Sequence, residues 1–332
     1  MLQLNNNTPF AAGFTIFPNE RAVDTLYIMV KATFLIGEQW TLAQSQTPLY
    51  QADEYWGEPA KSSLRFSSDY HIGKPSTDIL MIGSACAPDQ RPVRQMDVGL
   101  QVGSVSKVVR VFGDRYWNRE QMISPPEPFV TMPLVYERAF GGQDLISEEV
   151  LRSAETKNPV GRGFTGGKHQ SELNGFPLPN LECPDHLIRD YRDNPEPACF
   201  APIAPHWQPR ASLAGTYDKH WQQHRAPYLP DDYNPCFMNV APPDLIYPDY
   251  LQGGEPVRII GMHPAGELEF QLPYVNLSNK VVIAEKVFSS PFYMETLLLD
   301  PNHRQLSMVW RAALACDKQL TKIKNISVSL SR

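Results

Sequence analysis

What this chain has little of narrows its class first. Cysteine is sparse and unpatterned: Cys86, Cys183, Cys199, Cys236 and Cys316 are odd in number, widely spaced and form no Cys-x-x-Cys pair. That excludes the spacing of a zinc ribbon or a disulfide framework, and reduced thiols are expected. No run of Lys or Arg is long enough to track a phosphate backbone, and the net charge is −6, so no direct nucleic-acid ligand is expected. No apolar stretch approaches the roughly 20 residues of a bilayer span. The opening Met1-Leu-Gln-Leu-Asn-Asn-Asn-Thr-Pro has neither the basic start nor the apolar run of an export signal. A cytoplasmic bacterial protein without membrane insertion is the expectation.

Proline is the opposite case. The chain holds 31 in 332 residues, about 9% against a usual value near 5%. Each removes a backbone donor and fixes φ, which suits neither helix interiors nor central strands. The chain is therefore expected to be rich in loops and poor in helix. Its length is near the size at which one core stops growing. We treat residues 1–332 as a single domain with a β-rich part over 1–125, an irregular part over 126–244 and a β-rich part over 245–332.

Strand signals fill both ends. Leu26 to Ile36 is dense in β-branched and aromatic residues, and Gly37-Glu38 marks a turn before Gln39 to Leu42. Asp78 to Gly83 is a short apolar run. Val93 to Val102 and Lys107 to Phe112 predict a hairpin with its loop near Gly103. Val257 to Gly261 and Gly266 to Leu272 predict another through Pro264-Ala265, and Thr296 to Asp300 with Leu306 to Arg311 a third around Pro301-Asn302. Helix is expected in only two short patches: Ser147 to Glu155, with Ser147 as N-cap, and Asp218 to His224. The fold class is mainly β, with packed antiparallel sheets in β-sandwich-like lobes and few short helices.

The stretch from Asn158 to Asp244 is long, proline-rich and without hydrophobic period. Trp207, Tyr217, Trp221, Tyr228, Tyr233 and Phe237 supply large apolar groups that disordered chains lack, so it is expected to be a fixed, loop-built surface. Trp, Tyr and Arg dominate interface hot spots. Trp207, Arg210, Tyr217, Trp221, Arg225 and Tyr228 are accordingly the candidate protein-binding residues. The opposing expectation is that the same groups pin the segment to its scaffold.

Enzyme-like patterns are incomplete. His220-Trp-Gln-Gln-His224 places two histidines on one helix face, but zincins require Glu where Trp221 stands, and no metal or cofactor is expected. Gly161 to Lys168 resembles a phosphate loop in composition only, since Arg162 replaces its first Gly and His169 its Ser or Thr. A Gly-rich turn that lets Phe164 dock is expected instead. Asp114-Arg115, Glu137-Arg138 and Asp218 are expected to orient loops, through ion pairs, rather than to perform acid–base chemistry. There is no Gly-x-Ser-x-Gly elbow. The alternatives are a β-sandwich hydrolase or carbohydrate-active enzyme using paired carboxylates, and a structural component of a larger apparatus.

Ordered strings then run through the chain: Lys31-Ala-Thr-Phe34, Lys74-Pro75 with Thr77-Asp78, Gly113-Asp-Arg115 with Trp117, and Pro133 to Gly142 with Asp144. Asn158 to Phe164, Leu178-Pro-Asn-Leu-Glu182, Trp207-Gln-Pro-Arg210, Gly215-Thr-Tyr-Asp218, Ala241-Pro-Pro-Asp244 and Gly266 to Pro273 follow. With these the chain resembles a domain-of-unknown-function family encoded beside bacterial type VI secretion spikes and effectors. The resemblance implies a non-catalytic adaptor or chaperone. Its implied partners are a toxin effector, a PAAR-type spike tip and the VgrG spike, onto which the effector is loaded. Net negative charge would favour a basic client through steering.

Overall fold

The computed structural model describes all residues except 1, 38, 121, 148–149, 169–171, 265 and 332. Strand dominates, and most of it lies in three sheets. The strands of these sheets are β1 (Leu4–Asn7), β2 (Ala11–Pro18), β3 (Asp24–Leu35), β4 (Thr41–Leu42), β5 (Asp78–Met81), β6 (Gln95–Val102), β7 (Val105–Phe112) and β8 (Leu181–Glu182). They continue with β9 (Pro256–Ile260), β10 (Glu267–Gln271), β11 (Leu277–Ile283), β12 (Lys286–Phe288), β13 (Tyr293–Asp300), β14 (Gln305–Ala315) and β15 (Ile323–Leu330). The largest sheet has the order β2-β3-β14-β13-β5, with β4 beside β3; the second runs β8-β7-β6-β9-β10; the third runs β1-β15-β11-β12. Pairing is mostly antiparallel, with β1 parallel to β15 and β13 parallel to β5.

The pattern of each strand explains its place. β3 is buried from Thr25 through Phe34, and β14 from Leu306 through Ala312; apolar runs without alternation suit strands covered on both faces. In the second sheet β6, β7 and β9 alternate buried and exposed positions, as strands with one wet face do. All three sheets share one continuous core, with Leu26, Ile28 and Val30 of β3, Val98 and Leu100 of β6, and Ile326 and Val328 of β15 among its members.

The predicted hairpins form. Val102 faces Val105 across a two-residue loop whose first residue, Gly103, has φ +55°, a conformation glycine adopts without steric cost. β9 with β10, and β13 with β14, are the other two; Ala265 lies outside the described residues. The ends of the chain are not separate lobes, however. β3 and β5 pair with β13 and β14, and β6 pairs with β9, so the parts 1–125 and 245–332 complete each other's sheets.

Helix is nearly absent. The only α-helix among the described residues is α1 (Lys219–His224), as expected for that patch. The other patch is corrected: Gln143–Ser147 and Val150–Ala154 are strands of one antiparallel hairpin with register shifts, and residues 148–149 lie outside the described set. A helix of about nine residues without an apolar stripe to bury is marginal. An adjacent partner strand satisfies the same backbone groups.

Candidate binding surface

The central segment is fastened to the sheets by buried polar groups. Asp78, at the start of β5 and fully buried, accepts from the Asn239 side chain at 2.9 Å, the Val240 N–H at 2.8 Å and Lys74 Nζ at 2.7 Å. The Met81 N–H donates to the Phe200 carbonyl at 3.2 Å. Cys199, Phe200, Ala204 and Trp207 join the main core. The Trp207 ring meets Tyr136 edge-on at 5.4 Å and its indole N–H donates to His206 at 3.0 Å. Arg210 donates to the carbonyls of Phe237 and Ile203. Trp207 and Arg210 are thus buried anchors, 1% and 7% exposed, and leave the contact surface expected from the sequence, because the segment folds back on Tyr136 and Phe237.

The charged groups that hold this scaffold were not singled out as functional from the sequence. Glu295 accepts from Nε and Nη2, one edge of the Arg311 guanidinium, and from the Lys74 N–H at 2.8 Å. Lys31 donates to Asp69 at 2.9 Å with its amine over the Tyr50 ring. Burial pushes the Glu295 carboxyl up against the opposing pull of Arg311, and pushes Lys31 down against Asp69. His71 is driven well below its ordinary value by burial and then by Lys74 and Arg311. The available signal was a Lys within an otherwise apolar strand run, since such a charge must be paired.

The loop-orienting candidates act, but across the fold. Asp114 receives Arg138 at 3.1 Å and Asn180 at 2.9 Å, with Arg162 at 3.7 Å. Arg115 instead pairs with buried Glu182 and lies over the Phe112 ring. Glu137 takes the N–H and hydroxyl of Ser63, each at 2.7 Å. Glu137-Arg138 lie in the 3-10 turn Tyr136–Arg138 and Asp114-Arg115 follow the end of β7; in each pair the two side chains bond different partners rather than each other. Asp114, Glu137 and Asp218 serve three different partner sets.

The Gly-rich stretch is also structural. Phe164 packs on a satellite core of Trp117, Phe140, Leu173, Leu178 and Ile188. Lys168 and the Gly167 N–H both bond Asp144, which holds that carboxyl below its usual range, with the Lys168 bond the larger cause. His169 lies outside the described residues.

The exposed part of the segment centres on α1. Asp218 caps it, accepting the Trp221 N–H at 2.8 Å. The Trp221 indole donates to the Tyr228 carbonyl at 2.8 Å and its ring meets Tyr217 at 4.8 Å. Arg225 donates to the Leu229 and Glu20 carbonyls and lies 3.2 Å from Asp231. Tyr217 remains 54% and Tyr228 39% exposed. Within this aromatic face the Trp221 side chain is already fixed by its hydrogen bond to the Tyr228 carbonyl and its ring contact with Tyr217, which lowers the ordering cost of binding. His220 and His224 stack at 4.4 Å; among the described residues no three His, Cys, Asp or Glu side chains gather as metal ligands. No helix among them is long and apolar enough to cross a membrane.

A groove of about 810 Å³ lies elsewhere, between β7 and the turns at Cys183–His186 and Asn194–Ala198. A second, of about 460 Å³, adjoins it through Lys107, Glu196, Pro197 and Asp244.

Residues 21–311 match the profile of a family described as an uncharacterized protein conserved in bacteria (DUF2169). The chain belongs to that family. No curated protein and no solved structure matches it.

Proposed function

We propose that this protein is a non-catalytic adaptor: a cytoplasmic bacterial protein that holds a client protein on the loop-built surface of its central segment. Following the motif resemblance, the client is a type VI secretion effector, PAAR-linked or free, delivered to the VgrG spike. The observation that carries this role is the preorganised aromatic face of Tyr217, Trp221 and Tyr228, exposed on a segment that is otherwise fastened to the core at Asp78, Trp207 and Arg210. A rigid base with a few large, part-polar side chains at its tip is how hot-spot surfaces are built. The carboxylates that an enzyme would use are already committed, Asp114 to Arg138 and Asn180, Glu137 to Ser63 and Asp218 to the α1 cap.

Co-expression with a PAAR-linked type VI effector, followed by affinity capture and calorimetry, tests the role. A stable complex is expected, and Trp221→Ala is expected to weaken it by more than about 1 kcal/mol. Failure to capture effector, spike tip or spike overturns it. Hydrolysis of a polysaccharide that disappears on removing Asp114 or Glu137 would also overturn it.

A further inference from the structure

At the β7 end of the second sheet no strand among the described residues pairs with the outer edge of β7 over residues 105–109, although the turn Pro243–Leu245 packs against β7. β8 covers β7 only at Arg110 and Val111. β8 is followed by Cys183 and then Pro184, which has no N–H with which to continue the ladder. The two-residue loop makes Val102 and Val105 a hydrogen-bonded pair, and such pairs alternate along an antiparallel ladder. The N–H and C=O groups of Ser106 and Val108 therefore point away from β6, toward the open edge. Consistent with that phase, the Phe112 N–H bonds outward to the Asn180 carbonyl. Among the described residues, neither Ser106 nor Val108 makes a backbone hydrogen bond to a further segment. Both are exposed, Val108 at 48%.

This free edge forms one wall of the 810 Å³ groove. The opposite edge of the same sheet, β10, is blunted by Glu267 and Glu269 at Arg258, as solvent-facing edges usually are. β7 bears no such guard at Ser106 or Val108. Around the groove stand the carboxylates Asp97, Asp185, Glu196 and Asp244, against Lys107 as the only amine in its lining. Asp97, Glu196 and Asp244 have basic partners; the Asp97 and Glu196 pairs are open to solvent on both sides and so weakly held, whereas Asp244 is 54% exposed on a Lys107 that is only 10% exposed.

We infer that the Ser106–Val108 edge is a strand-addition site that takes an extended protein segment alternating apolar and basic residues. The occupant lies where β8 would continue, exchanges backbone hydrogen bonds with Ser106 and Val108, sets an apolar side chain beside Val108, and turns its Lys or Arg residues to Asp185, Asp244 and Glu196. The inference deepens the adaptor role and takes from it that the occupant is a protein.

Fluorescence anisotropy of the full chain with two labelled peptides of about eight residues tests it, one alternating valine with lysine, the other valine with glutamate. The lysine peptide is expected to bind saturably, the glutamate peptide about ten-fold more weakly or worse. Val108→Pro removes an edge donor without touching the β6 ladder and is expected to cost about ten-fold or more in affinity for the lysine peptide. Should that variant fail to fold, Asp185→Lys leaves the backbone edge intact and is expected to weaken the same peptide. Slowed amide exchange at Ser106 and Val108 in the wild-type complex then reports the edge directly. Equal binding of both peptides, no binding of either, unchanged affinity in the folded Val108→Pro protein, or unprotected amides at Ser106 and Val108 would overturn it. Client capture separates the two ideas. A client held equally by wild type and Val108→Pro removes the edge and leaves the adaptor role. Edge-dependent peptide binding with no client captured removes the adaptor role and leaves the edge.

Discussion

Trp207 and Trp221 belong to one proline-rich segment, share its composition and stand in opposite surroundings. Trp207 is 1% exposed, wedged against Tyr136 in the main core. Trp221 sits on a six-residue helix, half-covered, with its indole N–H spent on the Tyr228 carbonyl and its ring against Tyr217. Arg210 and Arg225 repeat the contrast: one buried and bonded to two carbonyls of its own segment, the other at the rim beside Asp231. Identical residue types thus divide between fastening the segment and presenting it. What separates them is what each packs against: Trp207 meets Tyr136 and Arg210 meets Phe237, whereas Trp221 and Arg225 stay within the partly exposed turn around α1.

The comparison breaks most severely at the fastening end. Glu295→Ala leaves the Arg311 guanidinium buried without its carboxylate and is expected to cost about 3–5 kcal/mol, read from the urea midpoint. Trp207→Ala empties a core site and is expected to cost a similar amount, about 3–5 kcal/mol. Trp221→Ala, by contrast, is expected to shift the melting temperature little while weakening the client complex. A loss of stability at Trp221 as large as at Trp207 would erase the distinction.

Two smaller effects sharpen it. The folded protein keeps His71 neutral where the unfolded chain takes up a proton. Its contribution is therefore fully present above the unfolded value, about 6.5, and is lost as pH falls below it. His71→Gln should flatten the decline in melting temperature between about pH 7 and pH 5, and an unchanged slope would refute the assignment. Asp218→Ala removes the α1 cap and is expected to cost about 1 kcal/mol. Its signature is faster amide exchange confined to the region around Trp221, with the sheet amides unaffected.

Much of the sheet structure was legible because strand period and turn residues are local. The β6–β7 loop at Gly103 and the β13–β14 turn at Pro301-Asn302 needed only neighbouring residues to be read. The Ser147 patch misled because a cap-like residue followed by acidic residues is equally compatible with a hairpin once a partner strand stands beside it. The binding candidates were legible as a set but not individually. Ion pairing was legible as charge but not as partnership: Asp114 chose Arg138 over Arg115, and Arg115 chose Glu182.

By itself the sequence determined the β-rich class, the hairpins and the presence of an ordered aromatic centre, because side-chain alternation, turn chemistry and bulky apolar content act over a few residues. Tertiary structure alone decided that the two chain ends share their sheets, that Trp207 is core while Trp221 is surface, and that the outer edge of β7 stays open at Ser106 and Val108. Each of those depends on which distant segment arrives to exclude water or to supply a hydrogen-bond partner, and no local pattern carries that information.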